Sequence, residues 1–294
     1  MSFNRTRAMN LVNRINSCNS WQGLAKIFKN AAKSNKKAWA NAFKKLQKFA
    51  ESYGEYIPYS IFVMGNSKLP FYAFSTLPIA TCPGAGECKK WCYSLKAWRY
   101  PDAFGRQIQN TILMRMEHGK ITTEFEKIPD GSTLRLYVDG DFENVNQVAY
   151  WFYMLDTVNP TINAYGYSKS WDEIMEYFKP YGIYNSVKEG PKNYRLNLSG
   201  GGNSRTVTID DMKKLAIVRG EFLAVRINPE LMAKTRFSLP EYHAAVRQAG
   251  KELTGKPIFS CPGKCGENCS IKGQHACGNT FAPANGMTIA IGIH

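Results

Sequence analysis

Apolar residues recur at helical spacing through the first fifty positions, then give way to short apolar runs that end in polar, glycine-containing turns. Trp21, Leu24 and Phe28 form one stripe, and Trp39, Phe43, Leu46 and Ala50 a second, which predicts amphipathic helices. Tyr53 to Pro58 reads as a linker. Ile61 to Met64 predicts a short strand closed by Gly65-Asn66, and Phe71 to Leu77 a second strand. Ala103 to His118 then predicts a helix with Phe104, Ile108, Ile112 and Met116 on one face. Beyond the turn signal Pro129-Asp130-Gly131, strands are predicted at Leu134–Val138, Thr161–Tyr167, Tyr194–Leu198 and Phe222–Ile227. Helices are predicted between them at Val148–Leu155, Trp171–Phe178 and Asp210–Val218.

Strand, polar loop and helix repeat about five times at roughly 25–35 residue intervals, which argues for parallel α/β units. The expected architecture is α/β, a partial or complete parallel α/β barrel of the TIM type. It carries a basic helical N-terminal extension (1–57), a barrel-like domain (58–255) and a Cys-rich C-terminal segment (256–294).

Charge sharpens this division. The formal net charge is +15, and residues 1–50 carry eleven Lys and Arg without one Asp or Glu. Two explanations compete, a solvated lysine face on helices packed against the core and a phosphate-contacting surface. The absence of any acid favours a polyanionic partner, DNA first, contacted through Lys36, Lys37, Lys44, Lys45 and Lys48. No apolar run approaches the roughly 18 residues of a membrane span. No secretory h-region follows the N-terminus. The expectation is a soluble, intracellular protein, in which clustered cysteines serve as metal ligands rather than disulfides.

Seven of the eight cysteines fall in two clusters. The first, Cys82, Cys88 and Cys92, lies in the small-residue loop TCPGAGECKKWCY with spacing C-x5-C-x3-C. Its gaps are wider than those of a zinc knuckle, and three thiolates leave one metal position open. A four-iron cluster is favoured there over zinc completed by a distant ligand. The second, Cys261, Cys265, Cys269 and Cys277, can close a zinc or iron–sulfur site unaided, or lend one cysteine to the first.

Catalytic candidates sit at predicted strand ends. Asp139 and Asp141 flank Gly140, as acid and base or as partners for a cofactor's amino group, against the plainer alternative of a solvated turn. Lys169 stands at the end of the next strand, and Gly200 and Gly201 after the following one, where backbone can approach a cofactor. Trp91, Tyr93, Trp98 and Tyr100 alternate with Lys89, Lys90, Lys96 and Arg99, a pattern suited to base stacking and phosphate contact.

These stretches together resemble the phage gene product 88 family. The resemblance rests on Gly65-Asn66-Ser67-Lys68-Leu69, Thr81 to Ser94, Gly140-Asp141-Phe142, Tyr167 to Ser170 and the cysteines from Cys261 on, over residues 61–294. It implies a phage-encoded protein working in the cytoplasm of the infected bacterial host. A looser resemblance is to radical S-adenosylmethionine enzymes, although their usual spacing is C-x3-C-x2-C. That resemblance implies a four-iron cluster on Cys82, Cys88 and Cys92, S-adenosylmethionine as cofactor, and Gly140 and Asp141 near its amino group.

Three functions are therefore expected in order. The first is an iron–sulfur, radical-enzyme-like protein that modifies or processes nucleic acid. The second is a zinc-containing, deazaguanine-type DNA base transglycosylase using Asp139 or Asp141. The third is a non-catalytic, metal-stabilised nucleic-acid-binding protein.

Overall fold

The computed structural model describes residues 5–66, 69–179, 189–233, 235–263, 270–271, 274–278 and 287–293. The chain opens with α1 (Arg5–Asn16), α2 (Trp21–Ala31) and α3 (Lys37–Glu51). Ser20 starts α2, its hydroxyl accepting the Gly23 N–H at 3.2 Å. The sequence stripes are the buried faces. Leu24 and Phe28 of α2 and Phe43, Leu46 and Ala50 of α3 enter the main core, which also receives Val12 and Ile15 of α1. Trp21 and Trp39 sit half-buried at its edge, with ring edges on Phe49 and Phe104 at 5.4 and 5.9 Å.

Next come β1 (Val63–Asn66) and β2 (Leu69–Ala73), paired antiparallel. The chain then runs through α4 (Cys88–Trp91), a 3-10 segment Tyr93–Arg99, α5 (Pro101–Met116), α6 (Gly119–Glu126) and β3 (Thr133–Leu136). Alternation of strand and helix follows: α7 (Val145–Tyr153), extended by a π turn, β4 (Asn163–Ser168), α8 (Trp171–Phe178) and β5 (Tyr194–Ser199). The remainder is α9 (Ile209–Lys213), β6 (Val218–Arg226), α10 (Pro240–Thr254), β7 (Ile258–Ser260), β8 (Ser270–Ile271), β9 (Gln274–His275) and β10 (Thr288–Ile293).

Eight strands form one sheet in the order β1-β2-β3-β4-β5-β6-β10-β7, and every pairing from β2 to β7 is parallel. The fold is thus mixed α/β with a mostly parallel sheet. A complete barrel is corrected, because the sheet does not close. The hairpin strand β1 takes the outer edge of β2, and β1 and β7 stand as the two ends of the sheet.

Alternation along the strands sorts their side chains. Leu134, Leu136, Tyr194, Leu196 and Leu198 face the helices and the main core. Tyr165 and Tyr167 face the other way, into a smaller cluster with Phe71, Phe222, Ile289 and Cys277. The helix expected at Asp210–Val218 stops at Lys213, and β6 begins at Val218 rather than Phe222. Its early polar residues are satisfied inside the sheet. The Arg219 guanidinium donates to Asn197 Oδ1 at 2.6 Å, and Glu221 pairs with Lys213 and Lys256.

Because β2 to β5 are parallel neighbours, the segments leaving their C-terminal ends emerge along one edge. The cysteine loop, the Asp-Gly-Asp turn, Ser168–Ser170 and the glycine triplet all leave from there.

Candidate functional site

The cysteine loop is seated by its glycines. A methyl on Gly84 would lie 1.7 Å from the Lys169 carbonyl oxygen, and one on Gly86 would lie 2.8 Å from that of Gly201. Asn203 donates its N–H to the Gly84 carbonyl at 2.8 Å, and Ala85 forms a bridge with Gly202. The loop therefore lies on the turns after β4 and β5, backbone against backbone.

The Asp-Gly-Asp turn is built as tightly. Gly140 holds φ +84, and a methyl there would meet the hydroxyl oxygens of Thr76 and Thr81 at 2.0 and 2.7 Å. Two non-glycine residues also take left-handed backbone close by, Ile79 at φ +69 before Cys82 and Tyr137 at φ +52 before Asp139. This conformation is uncommon for a bulky residue and strained for a β-branched one.

Asp139 and Asp141 look equivalent in sequence but take different partners. Asp141 is buried. Its Oδ1 accepts from Ser168 Oγ at 2.7 Å and the Phe142 N–H at 2.9 Å, and its Oδ2 from the Lys169 N–H at 2.8 Å. Burial raises its pKa, and these hydrogen bonds oppose the rise without cancelling it. Asp139 is half-buried and accepts from Gln107 at 2.8 Å, whose own carbonyl accepts from the Trp98 indole. Burial raises its pKa too, against the Ser94 hydroxyl, Arg135 and Gln107.

Lys169 extends toward β5, donating to Ser199 Oγ at 2.9 Å and to the Gly200 carbonyl. Burial lowers its pKa, while Cys88, Asp141, Cys82 and Cys92 act through space to raise it. Lys169 thus lies within electrostatic reach of all three loop cysteines and Asp141.

Cys82, Cys88 and Cys92 are half-buried free thiols. Burial pushes the Cys82 thiol well above its ordinary value, Asp141 adds to the rise, and the Ile79 N–H donates toward its sulfur. Burial likewise raises Cys92, whose sulfur receives the N–H groups of Ser94 and Leu95 and the Ser94 hydroxyl. Among the described residues no group of three or more His, Cys, Asp and Glu is close enough to hold a metal ion. In the chemistry of its donors, however, the trio suits a thiolate-bound cluster. It offers three thiols and one ammonium in electrostatic reach of one another, with backbone N–H groups acting on two of the sulfurs.

The two glycines after β5 differ: Gly200 lies against the Leu223 side chain, which a methyl would meet at 2.4 Å, whereas a methyl on Gly201, at φ +70, would meet nothing within 4 Å. Cys261 and Cys277 pack with Tyr165, Tyr167 and Phe259 on the sheet face away from the main core, and the Cys277 carbonyl accepts from Asn197 at 2.9 Å. Cys265 and Cys269 lie outside the described residues.

All eleven cations of residues 1–50 are exposed, including Lys36, Lys37, Lys44, Lys45 and Lys48. Among them, Arg5 donates to the Lys89 carbonyl at 3.1 Å, Lys45 pairs with Asp102 at 3.5 Å, and Lys48 lies over the Tyr56 ring at 4.4 Å.

The structure adds Thr76, Thr81, Gly84, Ser94 and Ser168 to the candidates. In the sequence Ser168 stands out only as a neighbour of Lys169, and Gly84 only as one of several loop glycines.

Among the described residues, no helix is long and apolar enough to cross a membrane. No curated protein and no solved structure matches the chain. The family described as Gene product 88 matches residues 25–274, so the shared region begins inside α2 and takes in most of the basic helices, rather than starting near residue 61. The chain belongs to the phage gene product 88 family.

Proposed function

We propose that this protein is an iron–sulfur enzyme of the phage, related in its way of working to radical S-adenosylmethionine enzymes, and that it modifies or processes nucleic acid. One observation carries the reading. Three cysteines, Asp141 and Lys169 lie within electrostatic reach of one another where neighbouring parallel strands end, the edge at which open and barrel-like α/β folds put their chemistry. The open run of parallel strands suits a partial barrel.

Cys82, Cys88 and Cys92 are the residues that would hold a four-iron cluster, leaving its fourth corner for a cofactor. When bound and reduced, such a cluster supplies the electron that cleaves a sulfonium like S-adenosylmethionine. The protein's own groups do the rest. Lys169 offsets negative charge gathered at the thiolates. Asp141 fixes the Lys169 backbone beneath the loop, so that the loop and the β4 turn move as one body. Thr76 and Thr81 pack against Gly140 where only a glycine fits, which ties the Asp139–Asp141 turn to the start of the cysteine loop. The C-terminal cysteines would hold a second, structural metal, and the cations of α3 supply the attraction to a phosphate backbone.

Metal and sulfide content on anaerobically purified protein tests this, with optical spectra before and after dithionite. The expectation is about four irons and four sulfides at the first site, absorption near ~400 nm that bleaches on reduction, and loss of both in Cys88→Ala. S-adenosylmethionine cleavage in the presence of dithionite is the companion assay. A colourless protein carrying zinc alone overturns the reading in favour of transglycosylation or simple binding.

A further inference from the structure

We propose that the rim of the cysteine loop is a binding track for a single, unpaired strand of nucleic acid. The inference rests on the nucleic-acid reading above and names its substrate form. It starts from which rings the chain leaves outside. Within ten residues, Trp91 is 37 % exposed, Tyr93 56 % and Tyr100 68 %, while Trp98 among them is fully buried. The segment is therefore not simply crowded with aromatics. One ring enters the core, where its indole bonds Gln107, and three stay on the surface beside the loop. Exposed apolar surface clustered at one place marks an interaction site.

The backbone sets where each ring leaves the chain: Trp91 ends α4, Tyr93 opens the 3-10 segment, and Tyr100 is the residue at which α5 starts. Asp139 and Arg135 lie within electrostatic reach of the Tyr93 hydroxyl. Exposed Lys89, Lys96 and Arg99 alternate with the rings. The basic helices meet the same rim. The Arg5 guanidinium of α1 donates to the Lys89 carbonyl at 3.1 Å, and Lys45 of α3 pairs with Asp102, two residues past Tyr100.

Cations alone attract any nucleic acid, and a duplex satisfies them well. Exposed rings on which no ring of the described residues stacks add a preference. The faces of duplex bases are already covered by their neighbours, whereas an unpaired strand can lay its bases on aromatic side chains. An enzyme that alters a base also needs that base out of the stack. A track of this kind delivers one unstacked nucleotide to the end of β3 and β4.

The test is fluorescence anisotropy on the full chain with labelled oligothymidylate and oligouridylate of about 20 nucleotides and a duplex of equal length. Both single strands are expected to bind at least about tenfold more tightly than the duplex at equal salt. The better of the two identifies DNA or RNA as the source. Trp91→Ala and Tyr100→Ala are each expected to weaken single-strand binding by about tenfold and leave duplex binding within about twofold. Both side chains are exposed, and matched melting curves show that the variants are folded. Equal affinity for duplex, single-strand binding unmoved by both substitutions, or binding only to anionic vesicles overturns the track. Iron and sulfide are measured on the same preparation. Iron present without single-strand preference sinks the track alone, and zinc without iron beside intact single-strand binding sinks the cluster alone.

Discussion

Gly84 allows the cysteine loop to lie on the β4 turn, because any side chain there would enter the Lys169 carbonyl. Neither partner is a flexible side-chain end, so Gly84→Ala must displace backbone. The expected result is a loss of about 2–4 kcal/mol in stability together with reduced iron uptake. A thermal melt and a metal assay check it, and a variant matching the parent in both would mean that the loop seats itself another way. Asp141→Asn is milder in shape but not in bonding. One carboxylate oxygen becomes an NH2 group facing a hydrogen-bond donor, either the Lys169 N–H or the Ser168 and Phe142 pair. The expected cost is about 1–3 kcal/mol in denaturant unfolding, whatever the metal content. At this scale the sequence points to Asp141 and Lys169 because each follows an apolar run. It does not separate Asp141 from Asp139, since the two differ only in what reaches them from β4 and α5. Nor does it single out Gly84 or Ser168, whose importance arises when distant segments meet.

The start of α8 illustrates how one element ties down the next loop. Asp172 in its first turn accepts from the Arg205 N–H at 2.8 Å, from Ser204 Oγ at 3.0 Å and from the hydroxyl and N–H of Thr206 at 2.9 and 3.2 Å. Burial works to raise its pKa, and these bonds outweigh it, taking the carboxyl down to about 2. The folded value lies below the unfolded one of about 3.9. The contribution to stability is therefore complete above about pH 4 and is lost as the pH falls toward 2. Asp172→Asn should cost on the order of 1–2 kcal/mol at neutral pH and little near pH 2, flattening the acid limb of stability measured by denaturant unfolding. A limb as steep as the parent's would place the acid sensitivity elsewhere. Elements with a strong period, α2, α3, β4, β5 and α8, are legible in the sequence because one face of each is apolar and buried. The last third of the sheet is not. β6 opens with Val-Arg-Gly-Glu, whose charges are answered by Asn197, Lys213 and Lys256, and β10 slips between β6 and β7 out of chain order. Pairing order of that kind leaves no trace in spacing.

On the scale of the molecule, the basic helices are a face of the main body, since Phe28, Leu46 and Phe49 share one core with the strands β3 and β5. Truncation would open that core, so the surface charge has to be tested without removing the helices. Phe28→Ala, at a fully buried position, is expected to lower global stability by about 3–5 kcal/mol. Replacing Lys37 and Lys44 with Gln should leave stability within about 0.5 kcal/mol per site, because both side chains are exposed. The same change should weaken nucleic-acid binding and flatten its dependence on salt, by about 0.7 in logarithmic slope for each phosphate of a single strand that is no longer neutralised. Lys45 is kept, since its pairing with Asp102 joins α3 to the start of α5. Affinity measured across a salt series decides between the two meanings of an acid-free surface. A line unchanged in height and slope would make these lysines a solvated face and shift the electrostatic attraction to the loop rim. A flatter line in a protein that melts normally assigns α3 to the phosphate backbone, with the cysteine edge left to act on what that backbone carries.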